Sequence, residues 1–238
     1  DVAPSRGLGD VYKRQMERNE LVLARLSNQY LLRTGERMEV LRAMNGFQAQ
    51  FLSNALYAMR LRSTAYDTAH AADSLVKSWT LRGTMHIFAE ADLPLFLHTG
   101  CRYRSRDWTV PSFWNQRPDW ALTPQRQAYF SDLIVDALAQ GPMTREALKA
   151  RCRVAGMTQA EEGSIFHPWG GGIRELCERG FLCGTVSEEK AFRLCPAFTP
   201  MEEQDALLEQ TRRYFTNYGP ASVRDAAYYF GSSQAEIE

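Results

Sequence analysis

Hydrophobic residues recur every three or four positions along the first third of the chain, and this spacing predicts four short helices. The clearest stripe consists of Val40, Met44, Phe47 and Phe51. These four side chains would form the buried face of one helix. An amphipathic helix that starts at Glu17 precedes it. The other predicted helices cover residues 38–51, 52–61 and 65–76.

The periodicity changes from helical to alternating between residues 79 and 88. Apolar and polar side chains alternate on either side of Gly83, which predicts two short strands or one bulged strand. Thr84 and His86 would share the face opposite the apolar side chains. Helices followed by strands in a block of this size are typical of a winged helix, and we assign residues 17–90 to a first winged-helix module.

A weak internal repeat marks the second half of the chain. In both copies a long helix meets a Gly-Pro dipeptide, which begins at Gly141 in one copy and at Gly219 in the other. A hydroxyl side chain suited to capping the next helix follows, Thr144 in the first copy and Ser222 in the second. The repeat therefore predicts two further modules of the same kind.

The second module is predicted over residues 123–196, with a third helix at residues 173–179 and a wing hairpin around residues 187–190. The third module begins at residue 201 and is expected to be incomplete at residue 238. The expected fold class is therefore mainly α with small β wings (α+β), built from tandem winged-helix modules. A single β-sheet spanning the chain would contradict this expectation.

Between the first two modules, residues 91–122 form a basic and aromatic connector. Arginine side chains pair with phosphates and aromatic rings stack on bases, so this composition favours a DNA-facing surface. A solvated helix face with inward tryptophans is the alternative. The arginines that this interpretation assigns to DNA are Arg102, Arg104, Arg106 and Arg117.

Composition narrows the class of protein. The chain has 238 residues, of which 45% are hydrophobic and 24% charged, with 28 basic and 28 acidic side chains. These values are typical of a globular protein. A net charge of zero does not exclude a local basic surface that binds nucleic acid. No apolar run reaches the roughly 20 residues of a membrane span, so no membrane partner is predicted.

The five cysteines form no CxxC pair and are interpreted as reduced thiols in a cytoplasmic protein. Residues 1–15 show neither helical nor alternating periodicity, and we interpret them as a non-native leader with Met16 as a candidate start.

Several common catalytic patterns are missing from the sequence. The four histidines have neither HExxH nor zinc-finger spacing, so no metal site is predicted. Gly170, Gly171 and Gly172 lack the lysine of a phosphate-binding P-loop, and no serine lies in a GxSxG motif. Conventional hydrolase chemistry and cofactor binding are therefore not predicted.

Gln48 and Gln50 are the candidate catalytic side chains. Side chains two positions apart point in different directions on a helix, but in an extended segment they project to the same side. Gly46 offers a place for the helix to end and for such a segment to begin. In the alternative interpretation, both glutamines are ordinary solvent-facing residues of a helix.

Three segments together resemble the AlkZ/YcaQ family of bacterial DNA glycosylases. They are RLSNQYL at residues 25–31, the Gln-Ala-Gln tripeptide at residues 48–50, and WTLRGTMH at residues 79–86. The resemblance covers nearly everything after Met16. It implies tandem winged helices followed by a C-terminal β-barrel, and the 238 residues are expected to lack the barrel and the rest of the third module. We therefore expect weak DNA binding and poor excision from this chain alone.

The resemblance also implies an activity, the excision of N7-alkylated purines from double-stranded DNA, including the unhooking of interstrand crosslinks. It identifies Gln48 and Gln50 as the catalytic residues, with Ala49 a small residue for the apolar middle position. Thr84 and His86 are candidate supporting residues, and Arg82 is a candidate DNA contact. No cofactor is implied, and a monomer is expected.

Neutral glutamines suit this chemistry, because an N7-alkylated purine is already cationic and leaves without a general acid. An amide oxygen can orient a water molecule against C1′ and face the positive charge that develops on the sugar. The alternative function is a non-catalytic winged-helix DNA-binding protein or transcriptional regulator, which would read a palindromic operator as a dimer.

Overall fold

The first module of the structure, a computed structural model that describes residues 18–97 and 107–238, contains three helices and three strands. Its helices are α1 (Arg18–Asn28), α2 (Arg37–Ala43) and α3 (Leu52–Arg62). Its strands are β1 (Phe47–Gln48), β2 (Leu75–Trp79) and β3 (Met85–Ala89). A 3₁₀ turn, Leu81–Gly83, joins β2 to β3, so the two-strand alternative is the observed one. The short helix α4 (Leu93–Phe96) follows β3.

Two predicted helices of this module are corrected. The helix expected over residues 38–51 ends at Ala43, because Asn45 and Gly46 adopt φ angles of +55° and +77°, which no helix accommodates. The helix expected over residues 65–76 is absent. Residues 64–74 form turns, and the chain then enters β2, whose pairing with β3 outweighs the helical preference of the alanines.

The second module follows the order of a winged helix more closely. Its helices are α5 (Pro124–Leu138), α6 (Arg145–Val154), α7 (Gln159–Ile165) and α8 (Gly171–Glu178). Its strands are β4 (Met143–Thr144), β5 (Leu182–Gly184) and β6 (Ala191–Leu194), and the last two form the hairpin expected around residues 187–190. The predicted Thr144 cap is confirmed, since its side chain accepts a hydrogen bond from the amide of Ala147.

The strands of both modules form one antiparallel six-stranded sheet with the order β1-β3-β2-β5-β6-β4. A single residue pair, Lys77 with Gly184, joins the two halves. The close approach suits glycine, because a Cβ at position 184 would lie 3.3 Å from the carbonyl oxygen of Lys77. The sheet does not span the chain, but it makes the modules less independent than the sequence predicted.

Three helices follow the second module: α9 (Glu203–Tyr218), α10 (Val223–Phe230) and α11 (Gln234–Ile237). The predicted Ser222 cap of α10 is confirmed and forms a capping box with Asp225. Helix α9 packs back against α1 and α2 of the first module and against α4, which follows it. The described part of the chain contains no helix that is long and apolar enough to cross a membrane.

The connector is described at residues 91–97, which contain α4, and at residues 107–122, which form turns around inward-facing tryptophans rather than a helix. Trp108 and Trp114 are buried, and Trp108 lies under the guanidinium of Arg179 at 4.1 Å from its ring centroid. Residues 1–15 and the arginines at positions 102, 104 and 106 lie outside the described residues.

Candidate active site

The two candidate glutamines lie on an extended segment that begins where helix α2 ends. Gln48 and Gln50 are exposed, whereas Ala49 between them is completely buried and its amide donates to the carbonyl of Met85 at 2.6 Å. This alternation is that of a strand. A small residue suits the middle position, because its side chain enters the core of the first module. The geometry required for both amides to project to one side is therefore present.

The glutamine side chains contact each other directly. Nε2 of Gln48 donates to Oε1 of Gln50 at 2.6 Å. Within the described residues, Oε1 of Gln48 and Nε2 of Gln50 have no other hydrogen-bond partner. The pair therefore presents one acceptor and one donor outward, an arrangement that can orient a water molecule or a polar edge of a substrate.

The close approach of β1 to β3 explains the glycine before the motif. A Cβ at Gly46 would lie 2.5 Å from the carbonyl oxygen of Ile87, which is too close for any other residue. Phe47 pairs with Ile87, and Gln48 pairs with His86. Directly opposed residues of an antiparallel pair share a face of the sheet, so His86 lies on the same face as Gln48.

His86 is a buried neutral side chain. It is 4% exposed, and burial lowers its pKa to about 4. Its Nδ1 lies 3.0 Å from the carbonyl oxygen of Thr84, so this nitrogen carries the hydrogen and Nε2 is left as an acceptor. The Thr84 hydroxyl donates to the carbonyl of Leu81 at 3.1 Å. This pair therefore fixes the turn before β3, and an uncharged imidazole gives no electrostatic attraction to a phosphate.

Helix α9 holds the turn that leads into the glutamine segment. The Nδ2 atom of Asn45 donates to the carbonyl of Gln210 at 3.0 Å, and the hydroxyl of Tyr218 donates to the carbonyl of Met44 at 3.1 Å. No sequence pattern indicated these contacts, because the partners are more than 160 positions apart. Residues 44–46 are thus fixed from outside their own module.

The predicted DNA-binding arginines that lie in the described part of the chain both have protein partners. The guanidinium of Arg82 donates a hydrogen bond to the backbone carbonyl of Tyr229 and lies 5.2 Å from the centroid of the Tyr229 ring. Arg117 forms a two-pronged ion pair with Asp119, both N–O distances being 2.9 Å. Arg82 remains exposed to solvent despite these contacts. A role in DNA binding stays a prediction for Arg82 and for Arg117.

The recognition helix of a winged helix lies directly before the wing strands and usually enters the major groove, and it is not available in either module. In the first module, turns at residues 64–74 occupy its place between α3 and β2. In the second module, every residue of α8 is buried or half-buried, because the helix packs against β2 and β5. The described residues also contain no group of three or more His, Cys, Asp or Glu side chains that could hold a metal ion.

Comparison with known proteins places this architecture in a family. A sequence model of the family described as "DNA glycosylase AlkZ-like" matches residues 41–238. The chain is also 28% identical over 202 residues to a protein of Streptomyces sahachiroi named "Interstrand DNA cross-link repair glycosylase". That alignment covers 78% of this chain and 52% of the relative, so the chain spans about half the length of the curated relative it matches.

The fold agrees with a solved structure described as "Streptomyces sahachiroi DNA glycosylase AlkZ", with a TM-score of 0.68 and 24% sequence identity. The match covers 91% of this chain and 62% of the solved one. It supports the expected fold, helices with a small antiparallel sheet. Because the family model matches far more than half of the sequence, including the Gln48–Gln50 segment, this chain belongs to the AlkZ-like DNA glycosylase family.

Proposed function

We propose that this chain is part of a monofunctional DNA glycosylase that hydrolyses the N-glycosidic bond of N7-alkylated purines in double-stranded DNA. One observation carries the proposal. The exposed side chains of Gln48 and Gln50 project together from an extended segment and are joined by a hydrogen bond of 2.6 Å. A glutamine pair of this geometry can hold a water molecule without carrying charge.

The reaction assigned to this pair needs no general acid. A cationic N7-alkylated purine leaves with the electron pair of the N9–C1′ bond, which neutralises its positive charge. A water molecule forms the new bond to C1′ and releases its proton to solvent. Oε1 of Gln48 accepts a hydrogen bond from this water and turns the negative end of its amide dipole toward the positive charge on the sugar, while Oε1 of Gln50 holds the Gln48 amide in this orientation.

Neutral glutamines also limit the substrate class. An amide is a far weaker base than a carboxylate, so the pair cannot compensate for a poor leaving group. We therefore expect excision of cationic lesions and none of uncharged purines. Unhooking of an interstrand crosslink through N7 is the same bond cleavage on a bulkier substrate, and the name of the S. sahachiroi relative supports extending the proposal to it.

The alternative function, a winged-helix transcriptional regulator, has less support. Such a protein reads base edges with the third helix of its module. The first module has turns at that position, and α8 of the second module has no exposed residue. We propose that the protein acts as a monomer on DNA in the cytoplasm. The four cysteines of the described residues, all free thiols, agree with a reducing compartment.

An excision assay tests the proposal. The chain is incubated with a duplex that carries one N7-methylguanine, and abasic sites are converted to strand breaks by alkali. Enzyme-dependent breaks at the lesion are expected, with none on a matched duplex that carries guanine or the uncharged 7-deazaguanine. A chain that binds the duplex but leaves the lesion intact at high enzyme excess would favour the non-catalytic alternative.

A further inference from the structure

The side chain that follows the candidate glutamine pair is exposed although the sequence predicts it to be buried. Phe51 is 71% exposed, outside the hydrophobic core that contains Val40, Met44 and Phe47. It is the N-terminal capping residue of α3, and its carbonyl accepts hydrogen bonds from the amides of Asn54 and Ala55. The aromatic ring is therefore held at a fixed backbone position, directly beside Gln50, with most of its surface in water.

The same helix carries an exposed face that continues from Phe51. Asn54, Tyr57 and Leu61 are spaced three or four residues apart, so they line one side of α3. Tyr57 is 61% exposed and Leu61 is 49% exposed, large fractions for an aromatic and an aliphatic side chain. We refer to Phe51, Asn54, Tyr57, Arg60 and Leu61 as the α3 face.

The charge of the α3 face suits a polyanion. Helix α3 has no acidic residue in its sequence LSNALYAMRLR. The guanidinium of Arg60 is exposed and makes no hydrogen bond or ion pair with the part of the chain that the structure describes. Arg117, Arg126 and Arg153, in contrast, are each paired with a carboxylate. An unpaired arginine, an amide and two aromatic rings form a surface that fits a nucleic-acid backbone and its bases.

We propose that the α3 face docks on double-stranded DNA and that Phe51 inserts its ring into the base stack beside the lesion. An enzyme that acts at C1′ of a stacked purine must disturb the stack, and apolar side chains commonly serve as wedges between base steps. Because turns replace the recognition helix of the first module at residues 64–74 and α8 of the second module has no exposed residue, the α3 face supplies the contact next to the reacting bond. This inference rests on the proposed function for the position of the lesion, although its test does not require excision.

The test uses a duplex with 2-aminopurine beside one N7-methylguanine whose 2′-fluoro sugar resists excision, because the fluorescence of 2-aminopurine rises when this base is unstacked. The wild-type chain is expected to raise the fluorescence on binding. Phe51→Ala should abolish the rise and lower excision of N7-methylguanine roughly tenfold, the worth of one stacking interaction. Phe51→Leu, which keeps an apolar wedge, should restore part of the rise.

Tyr228→Ala is the matched control. Tyr228 is 88% exposed on α10 and belongs to none of the surfaces assigned to DNA, so this variant should unstack the probe as the wild type does. Arg60→Ala should weaken binding and reduce the slope of log affinity against log salt by about one. Thermal unfolding of each variant separates a direct effect on DNA from a loss of structure, since exposed side chains contribute little to stability.

The outcomes separate this inference from the proposed function. A wild-type chain that unstacks the probe but never excises N7-methylguanine would support the wedge and refute the glycosylase. Excision that survives Phe51→Ala together with an unchanged fluorescence rise would refute the wedge and leave the glycosylase intact. A fluorescence rise abolished equally in Phe51→Ala and Tyr228→Ala would also overturn the wedge.

Discussion

The side-chain amide of Asn45 donates a hydrogen bond of 3.0 Å to the carbonyl of Gln210, 165 residues further along the chain. Asn45 is buried and has a positive φ angle, and it lies three residues before Gln48. Helix α9 therefore sets the position of the turn from which the glutamine segment emerges. The contact joins the chain after the second module to the candidate active site in the first.

The hydroxyl of Tyr218 is the second contact of α9 with this turn, and its removal tests the positioning role. Tyr218→Phe deletes the hydrogen bond to the Met44 carbonyl while keeping the ring, so we expect a loss of about 1 kcal/mol in the free energy of unfolding. The turn should shift, and excision should fall on the order of tenfold in kcat with little change in KM. Tyr214→Phe is the control, because Tyr214 stacks on Tyr218 at 5.1 Å without contacting the turn.

Gln50→Ala and Gln48→Ala test the catalytic assignment. Each should lower the excision rate by about 10²–10³, the usual cost of losing one preorganised polar group at a reacting centre. Both side chains are exposed, so circular dichroism and thermal unfolding should match the wild type. Gln125→Ala, an exposed glutamine of α5, is the control. Normal excision by both folded variants would remove Gln48 and Gln50 from the mechanism.

The lowered pKa of His86 predicts an acid sensitivity of stability. In the folded chain its pKa is about 4, against about 6.5 when unfolded, so the unfolded state binds the extra proton between these values. The contribution of neutral His86 to the free energy of unfolding should therefore be fully present above pH 6.5. The free energy of unfolding should fall by about 3 kcal/mol as the pH drops to 4.

Urea unfolding of the wild type and of His86→Asn across this pH window measures the effect. The variant does not titrate at this position, so its stability should vary less with pH than that of the wild type. Parallel curves for the two proteins would show that burial of His86 does not control the acid sensitivity.

The connector arginines predict a salt dependence of DNA binding. If Arg102, Arg104 and Arg106 bind phosphates, replacing all three with alanine should lower the slope of log affinity against log salt by roughly one unit for each phosphate that is no longer neutralised. Arg117→Ala should change the slope less, because Asp119 already neutralises that guanidinium. Fluorescence anisotropy between about 50 and 200 mM salt measures the slope. An unchanged slope in the triple variant would assign the segment to the solvated alternative.

A buried ion pair in the second module predicts a large stability effect away from the candidate site. The guanidinium of Arg179 and the carboxylate of Glu175 are 2.6 Å apart, and both side chains are almost fully buried. Arg179→Ala leaves a buried carboxylate without its cation and should cost about 3–5 kcal/mol in chemical unfolding. Arg153→Ala breaks the exposed pair with Glu162 and should cost at most about 1 kcal/mol. Similar losses in the free energy of unfolding in both variants would show that burial does not determine how much each ion pair contributes to stability.

Features that depend on local chemistry could be predicted from the amino-acid sequence alone. Thr144 and Ser222 begin helices because a side-chain oxygen accepts the free amide of the residue three positions ahead, which requires only short-range geometry. The Gly-Pro stops and the β5–β6 hairpin were predictable for the same reason. The family resemblance selected the Gln48–Gln50 segment, and Gly46 indicated where its helix could end.

Which faces are buried depends on long-range packing, and local patterns did not predict it. Phe51 fits the spacing of the buried stripe, but the chain leaves the helical path at Asn45 and Gly46, so its ring points to solvent. The alanine-rich residues before Leu75 favour a helix, yet β2 gains more from pairing with β3. The contact between Asn45 and Gln210 leaves no local pattern in either segment, because a hydrogen bond across 165 residues depends only on how helices α2 and α9 pack.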